Sequence, residues 1–196
     1  MIPVVILAAG RSRRMRGRDK LLEDIDGVPL LVRQVEMALG LGGDVFVALS
    51  PEDRARKAAL AGLACKILIV PEAEEGLSGT LRGAVAQLPE APAFMVFLGD
   101  LVALETADLR QLYEAYLSNP AYLIWRGATA DGKAGHPIIF SAAVRPRFAD
   151  LSGDDGAARI VGPLQKETCL IRLKDDRARR DLDTPEDWAA WRKTRR

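Results

Sequence analysis

Six cationic side chains crowd into ten residues, Arg11-Ser12-Arg13-Arg14-Met15-Arg16-Gly17-Arg18-Asp19-Lys20, directly after the small residues Ala8-Ala9-Gly10. Fixed cations at this density suit phosphate oxygens, and guanidinium forks meet them two hydrogen bonds at a time. The small residues ahead of them let a flat base or a sugar come close to the backbone. Together these features are what a nucleoside triphosphate needs. A second candidate is Asp100, which follows the apolar run Phe94-Met95-Val96-Phe97-Leu98 and Gly99. Its carboxylate is expected at the carboxyl edge of a sheet, where open α/β folds bind their ligands. Position alone leaves open that Asp100 caps a loop.

These groups need a rigid support. Val4-Val5-Ile6-Leu7 is a short apolar run without helical periodicity, the pattern of a strand buried on both faces of a parallel sheet. Cations that follow a short apolar run argue against a secretory leader, in which they precede a longer one. A nucleic-acid-binding arm does not fit a chain whose 28 Lys and Arg face 27 Asp and Glu, for a net charge of +1. Only Gly10 follows the strand, where a dinucleotide fingerprint needs three spaced glycines. Lys20 also lacks the preceding Gly and following Ser or Thr of a Walker phosphate loop.

With 196 residues, 48% of them hydrophobic and 28% charged, the chain has ordinary globular usage and room for one core. No apolar stretch approaches the roughly 20 residues that span a bilayer, so neither a membrane nor nucleic acid is an expected partner. Cys65 and Cys169 each lie at the start of an apolar, strand-like run and are expected as buried free thiols, which suits a reducing cytoplasm. With His136 the only histidine, they do not make a metal-ligand set.

Strand and helix patterns alternate along the chain. A turn at 27–30 leads into a helix with Leu31, Val35, Met37 and Leu39 on or near its apolar stripe, ended by Gly40, Gly42 and Gly43. Strands are expected at 44–49, 65–70 and 94–98. Ser50 is expected to cap a helix with Pro51 at its first position, and Ser78-Gly79-Thr80 to open one carrying Leu81, Val85 and Leu88. Thr106 is expected to cap a helix to about Ser118. Further strands are expected at 122–125, 135–140 and 170–173, a loop at 152–156, and a last helix from Thr184-Pro185-Glu186-Asp187. This order predicts a single three-layer, Rossmann-like α/β domain over 1–196, with a mainly parallel mixed sheet and a nucleotide cleft at its carboxyl edge.

The opening Leu7-Ala8-Ala9-Gly10-x-Ser12-x-Arg14-Met15-x-Gly17-x-Asp19-Lys20 resembles the signature of the MobA-like nucleotidyltransferases, which include the molybdenum cofactor cytidylyl- and guanylyltransferases. Arg16 stands where that family usually has a first Gly. Asp181-Leu182-Asp183-Thr184-Pro185-Glu186-Asp187 resembles the family's late Asp-x-Asp-Thr-Pro-x-Asp motif. Two segments are similar to the cytidylyl branch: Gly76-Leu77-Ser78-Gly79-Thr80-Leu81, which there lies against the base, and Gly135-His136-Pro137 on the acceptor side, followed by Gly153-Asp154-x-Gly156-Ala157-x-Arg159. The Gly17-x-Asp19-Lys20 spacing looks more like the guanylyl branch. One departure stands out. The family commonly has Gln-Pro or Met-Pro after its Gly-Asp, and this chain has Leu101-Val102 after Gly99-Asp100.

The resemblance implies that a phosphorylated acceptor such as molybdopterin attacks the α-phosphorus of a nucleoside triphosphate, CTP being favoured over GTP, and displaces pyrophosphate. It implies Arg14, Lys20 and Asp100 as catalytic residues. Leu7, Ala8, Ala9, Gly10, Ser12 and Ser78 would join Arg14 and Lys20 around the nucleotide, and His136 would face the acceptor. Mg²⁺ prefers one or two carboxylates plus phosphate oxygens, and Asp100 with Asp183 would supply that pair. Asp181 and Asp187 read instead as a loop partner and a helix-start acid. A helix cap stays open for Ser78, and a turn or core role for His136. Two other functions stay open: a non-catalytic nucleotide- or cofactor-binding protein assisting a molybdoenzyme, and a sugar-phosphate nucleotidyltransferase.

Overall fold

The computed structural model describes residues 1–153 and 156–194. Its strands are β1 (Val4–Leu7), β2 (Asp24–Ile25), β3 (Val28–Pro29), β4 (Val45–Leu49), β5 (Cys65–Ile69), β6 (Ala93–Leu98), β7 (Ile124–Ala128), β8 (Ala134–Ser141) and β9 (Thr168–Arg172). Seven of them form one sheet in the order β5-β4-β1-β6-β8-β7-β9, while β2 and β3 make a separate hairpin. The large sheet is mainly parallel: β8 alone among its strands runs against its neighbours, antiparallel to both β6 and β7.

The helices are α1 (Leu30–Leu39), α2 (Arg54–Ala59), α3 (Leu77–Gln87), α4 (Thr106–Ser118), α5 (Ala158–Val161) and α6 (Pro185–Thr194). Alternation along β1 shows why both faces of the sheet are covered. Val4 and Ile6 enter one apolar core with α1, α4 and Trp188 of α6, whereas Val5 and Leu7 enter the other with α3 and α5. All four β1 residues are buried, which explains a run without polar alternation. No helix among the described residues is long and apolar enough to cross a membrane. Cys65 and Cys169 are unpaired and half-buried, and burial pushes both thiols up.

Local chemistry moved several expected boundaries. The second helix begins at Arg54 rather than after Ser50, because the Asp53 carboxylate accepts the Ser50 N–H at 2.8 Å and closes a turn first. The cap of α4 is Glu105, in a reciprocal capping box with Asp108, and Thr106 instead donates its hydroxyl to the Met37 carbonyl at 3.1 Å. Residues 24–29 form the small hairpin rather than a plain turn. Asp154 and Asp155, within the expected 152–156 loop and acceptor-side segment, lie outside the described residues.

Candidate active site

A cleft of about 660 Å³ opens at the carboxyl ends of β1 and β6. Leu7, Ala8, Ala9, Gly10 and Ser12 line one wall, the Gly76-Leu77 segment and Thr80 another, and Arg14, Lys20, Asp100 and Asp183 also face it. A Cβ built on Gly10 would meet nothing within 4 Å, so no protein packing demands glycine there. Its bare backbone is open to a ligand.

Arg56 sets the shape of this wall, and nothing in the sequence singled it out. Its side chain is buried, with Nη1 on the Ala8 carbonyl at 2.5 Å and Nη2 on the Gly10 carbonyl at 2.7 Å. Nε and Nη2 also grip the Asp19 carboxylate at 2.7 and 2.9 Å. Asp19 in turn accepts the Leu21 N–H at 3.0 Å and the Ser12 hydroxyl at 3.3 Å, while Ser12 Oγ accepts the Lys20 N–H at 3.2 Å. Ser12 therefore latches the basic loop closed on itself. A cation in the first turn of a short helix reads as a surface residue, and only the return of the chain beneath Ala8 makes Arg56 a buried clamp.

The same loop shows what the Gly-to-Arg departure entails. Arg16 adopts φ 53°, a left-handed conformation that costs a non-glycine residue roughly 1–2 kcal/mol. Its 2.8 Å ion pair with Glu186 is exposed and offsets little of that.

Lys20, Asp100 and Asp183 converge. Lys20 Nζ lies 2.5 Å from Asp100 Oδ2 and 2.8 Å from Asp183 Oδ1, and Arg14 Nη2 lies 2.6 Å from Asp183 Oδ2. The Leu101-Val102 pair brings the two acids together. Both side chains are buried in the core, Leu101 bridges Asp181 as an antiparallel partner, and Val102 N–H donates to the Arg180 carbonyl at 3.2 Å. Fully buried Trp188 and a capping box between Thr184 and Asp187 then hold the segment from the α6 side.

Asp181, expected as a loop partner, joins the group. One oxygen each of Asp100, Asp181 and Asp183 lies within 4.8 Å of the others. In the extended stretch 181–183 the buried Leu182 turns inward, so the acids on either side of it share the opposite face. Burial works to lower the Lys20 pKa, but Asp100 and then Asp183 outweigh it and hold the ammonium above its ordinary value. Burial, and then the charges of Asp100 and Asp183, push the Asp181 carboxyl up. Asp100 Oδ1 is buried without a hydrogen-bond partner. Three converging carboxylates, one with an orphaned oxygen, fit a hard divalent cation.

Two expected residues lie elsewhere. Ser78 is fully buried, and its Oγ accepts the Gly156 N–H at 3.1 Å rather than lining the cleft. Gly76, at φ 99°, starts α3 one residue early and turns Ser78 inward, leaving Leu77 and Thr80 on the wall. Ser78 therefore does not cap the helix either. His136 is half-buried on β8, and its Nδ1 has no hydrogen-bond partner. Burial first, and then the Arg126 charge, push its pKa down to about 4, so the imidazole is neutral at pH 7. Continuing the Val96–Ile138 register by two residues places His136 beside Leu98, just outside the cleft.

Comparison with known proteins agrees with this geometry. The MobA-like NTP transferase domain matches residues 4–168. The molybdenum cofactor guanylyltransferase of Burkholderia vietnamiensis is 26% identical over 195 residues, covering 95% of this chain and 93% of that protein. The bifunctional protein GlmU of Clavibacter sepedonicus is 34% identical over 180 residues, covering 89% of this chain. The match spans only 34% of that protein's length, and 25% of the GlmU of Leifsonia xyli. The crystal structure of Rv0371c from Mycobacterium tuberculosis superposes with a TM-score of 0.82 at 30% identity, covering 96% of this chain and 95% of that one. A manganese complex of the same protein superposes at 0.78 with 27% identity, covering 96% of each chain. The loop, the cleft and the family match lead to one conclusion: this chain belongs to the MobA-like NTP transferase domain family.

Proposed function

We propose that this chain transfers a nucleoside monophosphate from a nucleoside triphosphate to a phosphorylated acceptor and releases pyrophosphate, acting as a single domain over 1–196. The convergence of Lys20, Asp100 and Asp183 beside the bare Ala8-Ala9-Gly10 wall carries this reading. An oxygen of the acceptor phosphate forms a bond to the α-phosphorus while the bond to the bridging β-oxygen breaks, and its electrons leave with pyrophosphate. Such a transfer needs positioning and charge neutralisation rather than a covalent contribution from the protein. Ala8 to Gly10 admit the nucleoside, and the Arg56–Asp19–Ser12 lattice holds the loop in place. Arg14 and Lys20 turn from the carboxylates to the phosphates. Asp100 and Asp183, with Asp181, would hold a divalent cation, Mg²⁺ in this reading, which would neutralise charge on the reacting phosphates.

For the base we propose CTP, from the Gly76 to Leu81 and Gly135-His136-Pro137 segments. The guanylyltransferase relative makes GTP the second reading. For the acceptor we propose molybdopterin, whose nucleotide product would pass to a molybdoenzyme in the cytoplasm. The GlmU relatives make a sugar phosphate the second reading there. The test is pyrophosphate release from CTP or GTP on adding Mg²⁺ and either acceptor, paired with a thermal-shift panel in which the preferred triphosphate stabilises by mass action. A larger shift with GTP overturns the base assignment. Triphosphate binding without pyrophosphate release from any pairing overturns the transferase in favour of a carrier.

A further inference from the structure

Beyond Leu98, on the side away from the nucleotide loop, stand two guanidinium groups that form no ion pair among the described residues. Half-buried Arg126 on β7 donates Nε to the Gly135 carbonyl at 2.9 Å, and Arg179 donates Nη1 to the adjacent Ala134 carbonyl at 2.9 Å. Consecutive carbonyls of β8 thus gather two like charges. Their neighbours are paired, Arg177 with Glu105 and Asp108, Arg180 with Asp176. Among the described residues Arg126 and Arg179 form no such pair. Burial, and then Arg179, push the Arg126 pKa down, so the two groups feel each other.

The backbone that presents them is tightly fixed. A Cβ on Gly135 would collide with the Ala178 carbonyl, and one on Gly127 with the His136 carbonyl. His136 N–H donates to the Ala178 carbonyl at 2.8 Å, while its Nδ1 stays unpartnered. β8 lies beside β6 in the sheet, and the carboxyl end of β6 leads into Asp100, so this group stands at the same sheet edge as the acidic cluster. Two like charges at one end of β8, half-buried Arg126 and exposed Arg179, repel unless an anion joins them.

We propose that Arg126 and Arg179, with His136 Nδ1 beside them, form an oxyanion subsite for the phosphomonoester group of the acceptor. This assignment rests on the nucleotidyl-transfer reading above and deepens it. In an in-line displacement the attacking and leaving oxygens lie on opposite sides of the phosphorus. The pyrophosphate side is the Arg14 and Lys20 loop after β1, and the Arg126–Arg179 pair lies across Asp100 from it. Two guanidinium forks can each offer a phosphate parallel donors.

Inorganic phosphate is the probe. It is titrated calorimetrically into the full chain saturated with a non-hydrolysable triphosphate and Mg²⁺, so that the nucleotide loop is already filled. We expect one phosphate site whose dissociation constant rises at least tenfold in Arg179→Gln and in Arg126→Gln, with triphosphate affinity changed less than twofold. Arg179 is exposed, so Arg179→Gln keeps the test valid even if the half-buried Arg126→Gln unfolds. Phosphate binding that both variants leave unchanged overturns the subsite, as does phosphate that the triphosphate displaces completely. If no triphosphate binds, the transferase reading fails separately. The same titration of the empty chain, with and without Arg179→Gln, then decides the subsite by the same tenfold criterion.

Discussion

Replacing Lys20 by Ala removes one ammonium that two carboxylates share. The side chains of Lys20, Asp100 and Asp183 are only 14%, 17% and 21% exposed, so solvent screens the pair weakly. A hydrogen bond to a charged group is worth about 1.5–3 kcal/mol, and two are lost. What remains is three carboxylate oxygens within 4.8 Å, and at an effective dielectric near 20 each such pair repels by about 3.5 kcal/mol. Arg14 stays on Asp183 but is 71% exposed and contributes little. Lys20→Ala should therefore lose about 3–5 kcal/mol, the usual range when one partner of a buried pair is removed. In a chain of this size that is roughly 10 °C of melting temperature. The folded pKa of Lys20 lies above 10.5, so its contribution is present below that pH and is lost as pH rises through the raised value. A divalent cation can take the ammonium's place. Mn²⁺ should bind the nucleotide-free variant at least tenfold more tightly than the native chain and restore most of the lost stability. Triphosphate affinity should move the other way and fall about tenfold, since one charge-assisted contact of ~1.4 kcal/mol is a factor of ten. Thermal unfolding with and without Mn²⁺, together with triphosphate calorimetry, reads both signs. An unchanged melting temperature, or an Mn²⁺ shift no larger than that of the native chain, would refute the neutralising role of Lys20.

Arg56→Lys keeps the charge but cannot span Asp19 and the Ala8 and Gly10 carbonyls, so urea unfolding should report a loss of about 3 kcal/mol or more; triphosphate affinity should fall with it, and an unaltered affinity would detach Arg56 from the nucleotide wall. Asp100→Asn and Asp183→Asn should each abolish divalent-dependent turnover while leaving the chain folded, and the double variant should be hardly worse than either, because groups acting as one unit are strongly non-additive; additive losses measured by pyrophosphate release would contradict a shared ion. His136 should stay neutral down to about pH 4 by NMR titration. Its folded pKa lies below the ordinary 6.5, so the unfolded chain binds more protons between those values. Stability should therefore fall as pH drops from about 6.5 to 4, and that component should be missing in His136→Gln.

Much of the architecture is local information. The four-residue apolar run of β1, the Gly99-Asp100 step after β6 and the Thr-Pro-x-Asp start of α6 each carry their own signal, since burial on both faces, a strand end and a helix start are decided by neighbouring residues. The basic loop and Asp100 were legible from residue type and position, and Asp183 through the resemblance of its segment to the family's late motif. Whatever depends on the return of distant chain was not legible. Arg56 reads as a surface cation until α2 folds beneath Ala8, and Asp181 reads as a loop acid until the bridge to Leu101 turns it beside Asp183. Ser78 follows a serine pattern that fits a cap, yet Gly76 begins the helix first and sends it to Gly156. Arg126 and Arg179 are 53 positions apart and become neighbours only because consecutive carbonyls of β8 accept a hydrogen bond from each. Sequence by itself determined the strands of the large sheet, though not the β2–β3 hairpin, and which loop carries the cations, because those follow from short-range pattern. Tertiary structure alone decided which charges meet, because a side chain's partners are set by the closure of long loops that no local preference encodes.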